Sequence, residues 1–225
     1  MSVIKENPER MRTKHRFREP ATIFQPDEMA CVSAVTTQVL YMTGKISSPD
    51  VDSVDKALGR NPNQPAKSND AHLLLLQAGL TTHAVCAFDE KRFVIEGLSY
   101  LQTYYGHQWT DEHDITFPLA EIEKNQQECT RYLETLDRYT DLHTREDRTP
   151  TMDDITTLVK EKKIVDISVG DTGPICHAVL IYDVTTDDRY RVYNPDTTEY
   201  GLRIVSKGEL ASCFLPKEGI VAIGT

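Results

Sequence analysis

The chain is 225 residues long, enough to bury a core without disulfide help, and its formal charge of −10 excludes a general nucleic-acid or anionic-membrane binder. No apolar run approaches the roughly 20 residues needed to cross a bilayer, and the polar N-terminus lacks the apolar stretch of a secretory signal. The five scattered cysteines suggest neither a disulfide framework nor a CxxC zinc pair, so a reducing, cytoplasmic setting is expected.

Residues 1–23 set Lys5, Arg10, Arg12, Lys14, Arg16 and Arg18 against Glu6, Glu9 and Glu19. They read as a charged arm, either solvated or strapped to the acidic body. Residues 24–225 read as one domain. Its first stretch places Gln25 six residues before Cys31, and Val32, Val35, Val39 and Met42 follow on one face of a helix. Asp27 as N-cap and Gly44 as stop bound that helix at about 28–43. Cys31 then stands in the first turn, beside unpaired N–H groups and the positive end of the helix dipole. Such sites favour thiolate over thiol, with pKa values of roughly 3.5–7.5 against about 8.5 for a free cysteine. The same N–H groups, with the Gln25 amide, form a hole for the oxyanion of a tetrahedral intermediate.

Further helices are expected at 48–58, capped by Ser48, and at 70–78, capped by Asn69, with Gly59 and Gly79 ending them. A loop containing Pro62 and Pro65 lies between. Residues 80–88 read as a strand whose His83 and Cys86 face opposite sides, as packing or surface groups. Residues 89–145 read as a helical insertion or lid, with one helix before Gly106 and a longer one behind Pro118. His107 and His113 in the connection lack a specific metal-ligand geometry and read as a solvated loop. Thr151 and Asp154 form a capping-box variant opening a helix to about 161. Short β-rich runs follow at 164–169, 177–184, 189–194, 202–205 and 220–223, joined by turns such as 185–188. Connections of that length join antiparallel neighbours, and helices followed by such a sheet make an α+β fold.

A thiolate nucleophile needs a base, and the base needs an orienter. His177 opens one strand and Asn194 ends the next, so a hairpin turning at 185–188 brings them together, with Asn194 accepting from one imidazole nitrogen and the other left for Cys31. Asp196 is the alternative orienter. Cys176, beside His177 but pointing to the opposite face, and Asp183, deeper along the strand, read as structural.

The order Gln-x5-Cys, His, Asn resembles the papain-like cysteine peptidases. Within them the chain is most similar to the domains that remove leader peptides from bacteriocins and their double-glycine relatives. The resemblance spans about 22–225 and includes Leu-Leu-Gln-Ala-Gly-Leu at 75–80, Lys-Ile-Val-Asp-Ile-Ser-Val at 163–169, His-Ala-Val-Leu-Ile-Tyr-Asp at 177–183 and Val-Tyr-Asn-Pro at 192–195. It implies a papain-like fold with Cys31 as nucleophile, His177 as base and Gln25 as oxyanion donor. Asn194 aligns with the third residue, commonly Asp before Pro in the exporter-type domains and Asn in papain. Two features depart from the pattern. Cys31-Val32-Ser33 stands where those relatives carry Cys-Gly-Pro, and 89–145 has no counterpart. The activity implied is cleavage of a peptide or isopeptide bond through an acyl-enzyme, on a peptide or protein substrate, without metal or organic cofactor and without a nucleic-acid or membrane partner. Acyl transfer or deamidation would use the same residues, and a non-catalytic binding module on this scaffold is the competing class.

Overall fold

The computed structural model describes residues 17–106, 119–170, 177–196 and 201–225. The readings made for residues 1–16, His107, His113 and Cys176 lie outside those limits. The α+β class is observed: among the described residues, eight α-helices accompany a seven-stranded, mostly antiparallel sheet.

Helix α1 (Cys31–Met42) is nearly all buried, with Val35 and Val39 in the core. It ends at Gly44 as expected, but it begins at Cys31, with Ala30 as N-cap and no side-chain cap bond. Asp27 does not cap it: its carboxylate accepts from the backbone N–H groups of Met29 and Asn63 and pairs with Arg60. The cap of α2 (Val51–Ala57) is Asp50 rather than Ser48, and α3 (Ser68–Gln77) starts at Ser68 without a side-chain cap from Asn69. Strand β1 (Thr81–Val85) is shorter than expected.

The 89–145 segment departs most from its reading. Its first helical stretch is two helices, α4 (Glu90–Glu96) and α5 (Leu98–Tyr105), broken at Gly97 (φ 55°). A Cβ at Gly97 would press on Gln126, whose amide nitrogen donates to the Phe93 and Val94 carbonyls near the end of α4. Helix α6 (Leu119–Leu136) follows, and then a strand, β2 (His143–Glu146), so the segment is not wholly helical. Strand β2 lies parallel to β1 at the sheet edge. A buried chain of hydrogen bonds stitches it in: Tyr132 Oη to His72 Nδ1 (2.7 Å), His72 Nε2 to Thr82 Oγ1 (2.7 Å), Thr82 Oγ1 to His143 Nδ1 (2.9 Å).

Helix α7 (Met152–Lys160) opens on the full Thr151–Asp154 capping box. Strands β3 (Ile164–Val169), β4 (His177–Val184), β5 (Tyr190–Tyr193), β6 (Leu202–Val205) and β7 (Ile220–Gly224) follow. A short helix, α8 (Lys207–Cys213), not foreseen, lies between the last two. The strand order is β2-β1-β7-β3-β4-β5-β6. One face of the sheet (Ile164, Leu180, Tyr193, Ile223) packs under α1, and the other (Val165, Ile167, Val179, Ile181) packs on Ile155 and Val159 of α7. Burying these aliphatic side chains, at about 1.5–3 kcal/mol each, is the main force holding helix to sheet.

Residues 17–25, most of them in the expected arm, run along α1. Arg18 donates to the Met42 and Ile46 carbonyls, and the buried Gln38 amide pairs with both backbone groups of Ala21. Tyr193 Oη donates to Ile23 O, and Gln25 N–H donates to Pro195 O at 3.0 Å.

Candidate active site

Cys31 is the first helical residue of α1, so its N–H lies outside the intrahelical ladder. The loop before it is anchored by Arg60, whose guanidinium, 2% exposed, joins Asp27 (3.0 Å) to Asp55 (2.5 Å). Two carboxylates offset the burial of that cation and fix the direction in which the chain enters the helix.

Across from Cys31, β4 begins at His177. Continued by one residue, the Leu180–Tyr193 register sets Asn194 against Val179, on the same face of the sheet as His177 and one diagonal step from it. Hairpin geometry alone does not produce this. At the turn, Asp183 pairs with Arg191 and Val184 with Tyr190, and an uninterrupted ladder would set Asn194 against Leu180, on the other face. A β-bulge between Ile181 and Asp183 absorbs one residue, Tyr182, and corrects the register. Consistent with this, Tyr182 packs on the α1 side of the sheet while Val184 packs on the α7 side.

The structure therefore brings together three of the expected site residues. His177 Nε2 donates to Asn194 Oδ1 at 2.6 Å, and the ring lies close enough to the Cys31 thiol for each to shift the other's titration. Asn194 Oδ1 accepts the Asp196 backbone N–H as well, at 2.9 Å, which fixes the amide with its oxygen toward the ring. Asp196, the alternative orienter, thus acts on Asn194 through its backbone, and its carboxylate contributes charge near His177. Gln25 is tied beside them by its bond to Pro195 O, and its Oε1 is buried without a hydrogen-bond partner.

The titrations of the pair oppose each other. Burial pushes the Cys31 thiol up, but hydrogen bonds from His177 and from the Ala178 and Val32 backbone, with the imidazolium charge, hold it below its usual value. Burial pushes His177 down, yet its bonds to Cys31 and Asn194 and the charges of Cys31 and Asp196 raise it overall. Each partner favours the other's charged form. Two other cysteines differ: burial raises both Cys86 and Cys129, the latter to about 11.

Ser33 is fully buried, and its hydroxyl has no partner. Among the described residues no group of three His, Cys, Asp or Glu side chains could hold a metal ion, and no helix is long and apolar enough to cross a membrane.

No family model matches the chain, and no curated protein matches it. Among solved structures it is similar to a double glycine motif protease from an AMS/PCAT transporter, in complex with the leader peptide: 12% identity over 94% of this chain and 95% of that one, TM-score 0.46. It is also similar to the peptidase domain of Streptococcus mutans ComA: 11% identity over 91% of this chain and 98% of that one, TM-score 0.42.

Proposed function

We propose that the protein is a thiol-dependent hydrolase of peptide or isopeptide bonds. The observation that carries this reading is the position of His177, whose ring is bonded to the Asn194 amide oxygen and lies beside the Cys31 thiol. Cys31 as thiolate attacks the carbonyl carbon. The oxygen takes the negative charge and is met by the Cys31 N–H and the Gln25 side-chain amide. Imidazolium His177 protonates the departing amine, leaving a thioester on Cys31. Water then adds to the thioester with His177 accepting its proton, and collapse of the second tetrahedral intermediate releases the acid and the thiolate. Asn194, being neutral, fixes the plane and tautomer of the ring without adding charge.

The 89–145 segment is proposed as the part that restricts which chains reach Cys31. It is near enough to do so: Tyr104 Oη donates to Lys217 O at 2.7 Å, and Glu218 and Gly219, the next two residues, line the cavity below Cys31.

The test is limiting iodoacetamide near neutral pH, with the label mapped by mass spectrometry, alongside hydrolysis of a peptide library by wild type and Cys31→Ala. Labelling concentrated at Cys31, with hydrolysis lost in the variant, is expected. Uniform labelling of the five cysteines would indicate a binding module, and hydrolysis that survives Cys31→Ala would exclude this mechanism.

A further inference from the structure

Below Cys31, a slot of about 130 Å³ runs between α1, α3 and the sheet. On the α1 side it is lined from Cys31 to Val39, a rise of roughly 12 Å along the helix. Its other walls include Ala71 and Leu75 of α3 and Val221 of β7, all apolar. Asp166 of β3 lies in the same slot. It sits on the α1-facing side of the sheet, between Leu180 and Val221 in the strand pairing and two residues from buried Ile164. Those neighbours are aliphatic, whereas Ser168, two residues further along the same face, is polar and also lines the slot; Asp166 itself is partly buried. The Asp166 carboxyl has no hydrogen bond or ion pair with any described residue. Desolvation alone pushes it up to about 7.

The other titratable groups on the slot are Cys31, His72 and Glu218. His72, with both ring nitrogens bonded and its pKa lowered to about 3 by burial, is neutral and brings no positive charge. Burial also raises Glu218, whose carboxylate accepts from Tyr105. No lysine or arginine among the described residues lines the slot. A carboxyl group left unpaired in a largely apolar slot costs stability unless a ligand or water supplies its partner. The channel wall suits a hydrocarbon stem, and the acid suits a cation on its end.

We propose that Asp166 is a specificity residue, and that the slot receives a lysine- or arginine-type side chain adjoining the scissile bond. This rests on Cys31 being the nucleophile of the proposed hydrolase, but its test does not require turnover. Cys31 in the full chain is alkylated at pH 8 with N-(4-aminobutyl)iodoacetamide and with N-butyliodoacetamide, each rate being divided by that of the reagent with glutathione. The two reagents share a reactive group and a stem and differ in the terminal ammonium. In wild type the ammonium reagent should be favoured about tenfold or more, and Asp166→Asn should bring the ratio to within about twofold of unity. The wild-type ratio should also grow between pH 6 and 8, as Asp166 ionises. Asp166→Leu, which matches the aliphatic neighbours, should raise Tm while abolishing the preference. A wild-type ratio near one, or a preference that persists in Asp166→Asn, would overturn the proposal. The ratio is measurable even if Cys31 reacts as slowly as an ordinary thiol, a result that would sink the hydrolase reading instead.

Discussion

His177 Nε2 donates to Asn194 Oδ1 at 2.6 Å, and that oxygen is held in place by the Asp196 N–H. The amide has only one orientation that serves both bonds. Asn194→Ala should therefore misalign the ring and lower kcat/KM about 10- to 100-fold, the value of one hydrogen bond to a charged group. Asn194→Asp keeps the acceptor and should lose less. Steady-state kinetics on one peptide substrate checks the order, and equal losses would mean that the bond does not position His177.

The coupled titration gives a pH signature. The thiolate–imidazolium pair forms as pH rises through the lowered Cys31 value and is lost as pH rises further through the raised His177 value. Hydrolysis should follow a bell between those limits. Alkylation of Cys31 should begin below the ordinary thiol range, and His177→Ala should move its onset upward. Superimposable alkylation curves for the two proteins would show that the residues do not interact.

The rim of the cleft offers a test of packing. Gly219 has φ 77° and ψ −177°, a region open essentially to glycine alone, and a Cβ there would lie 2.8 Å from Cys86 Cβ and 3.2 Å from Val85 O. Gly219→Ala should cost about 1–3 kcal/mol, visible as a lower Tm. Tyr104→Phe, which removes only the bond to Lys217 O, should raise KM with little change in kcat if α5 helps admit substrate.

Much of this arrangement is legible in the sequence, and the misses share physical causes. Strands β3, β4 and β6 are recognisable to the residue because apolar runs end at turn residues. Strand β2 was missed because His143-Thr144-Arg145-Glu146 is entirely polar; it is held by a parallel neighbour and a hydrogen-bond chain rather than by an apolar face. Asp27 looks like a cap, yet distant Arg60 and Asn63 claim its oxygens. Helix α8 buries only Leu210 and gives no periodic signal, although its Ser206–Glu209 capping box could have been read. The proximity of Cys31, His177 and Asn194 is legible from residue type and order, but the bulge that makes their meeting possible has no sequence mark. The isolation of Asp166 has no sequence mark either, since one acid in a strand reveals it only when its neighbours are known.

Acid should destabilise the protein through His72. Its folded pKa, about 3, is below the ordinary 6.5, so between those values the unfolded chain takes up a proton that the folded state refuses. The stability present above pH 6.5 is lost as pH falls toward 3, and His143, lowered mainly by burial, acts in the same direction. Urea unfolding at pH 7 and 4.5 should show a loss of a few kcal/mol in wild type. The loss should be smaller in His72→Gln, although that variant starts less stable. An equal pH response in both would place the acid sensitivity elsewhere.

The path of residues 17–25 fixes a polarity for the molecule. Arg18 is fastened at the C-terminal end of α1, whereas Gln25 is fastened beside Asn194 and Pro195. Arg18 and Gln25 thus tie this stretch to opposite poles of α1, about 18 Å of helix apart, and the strand of chain between them spans the helix from its far end to the side that carries Cys31.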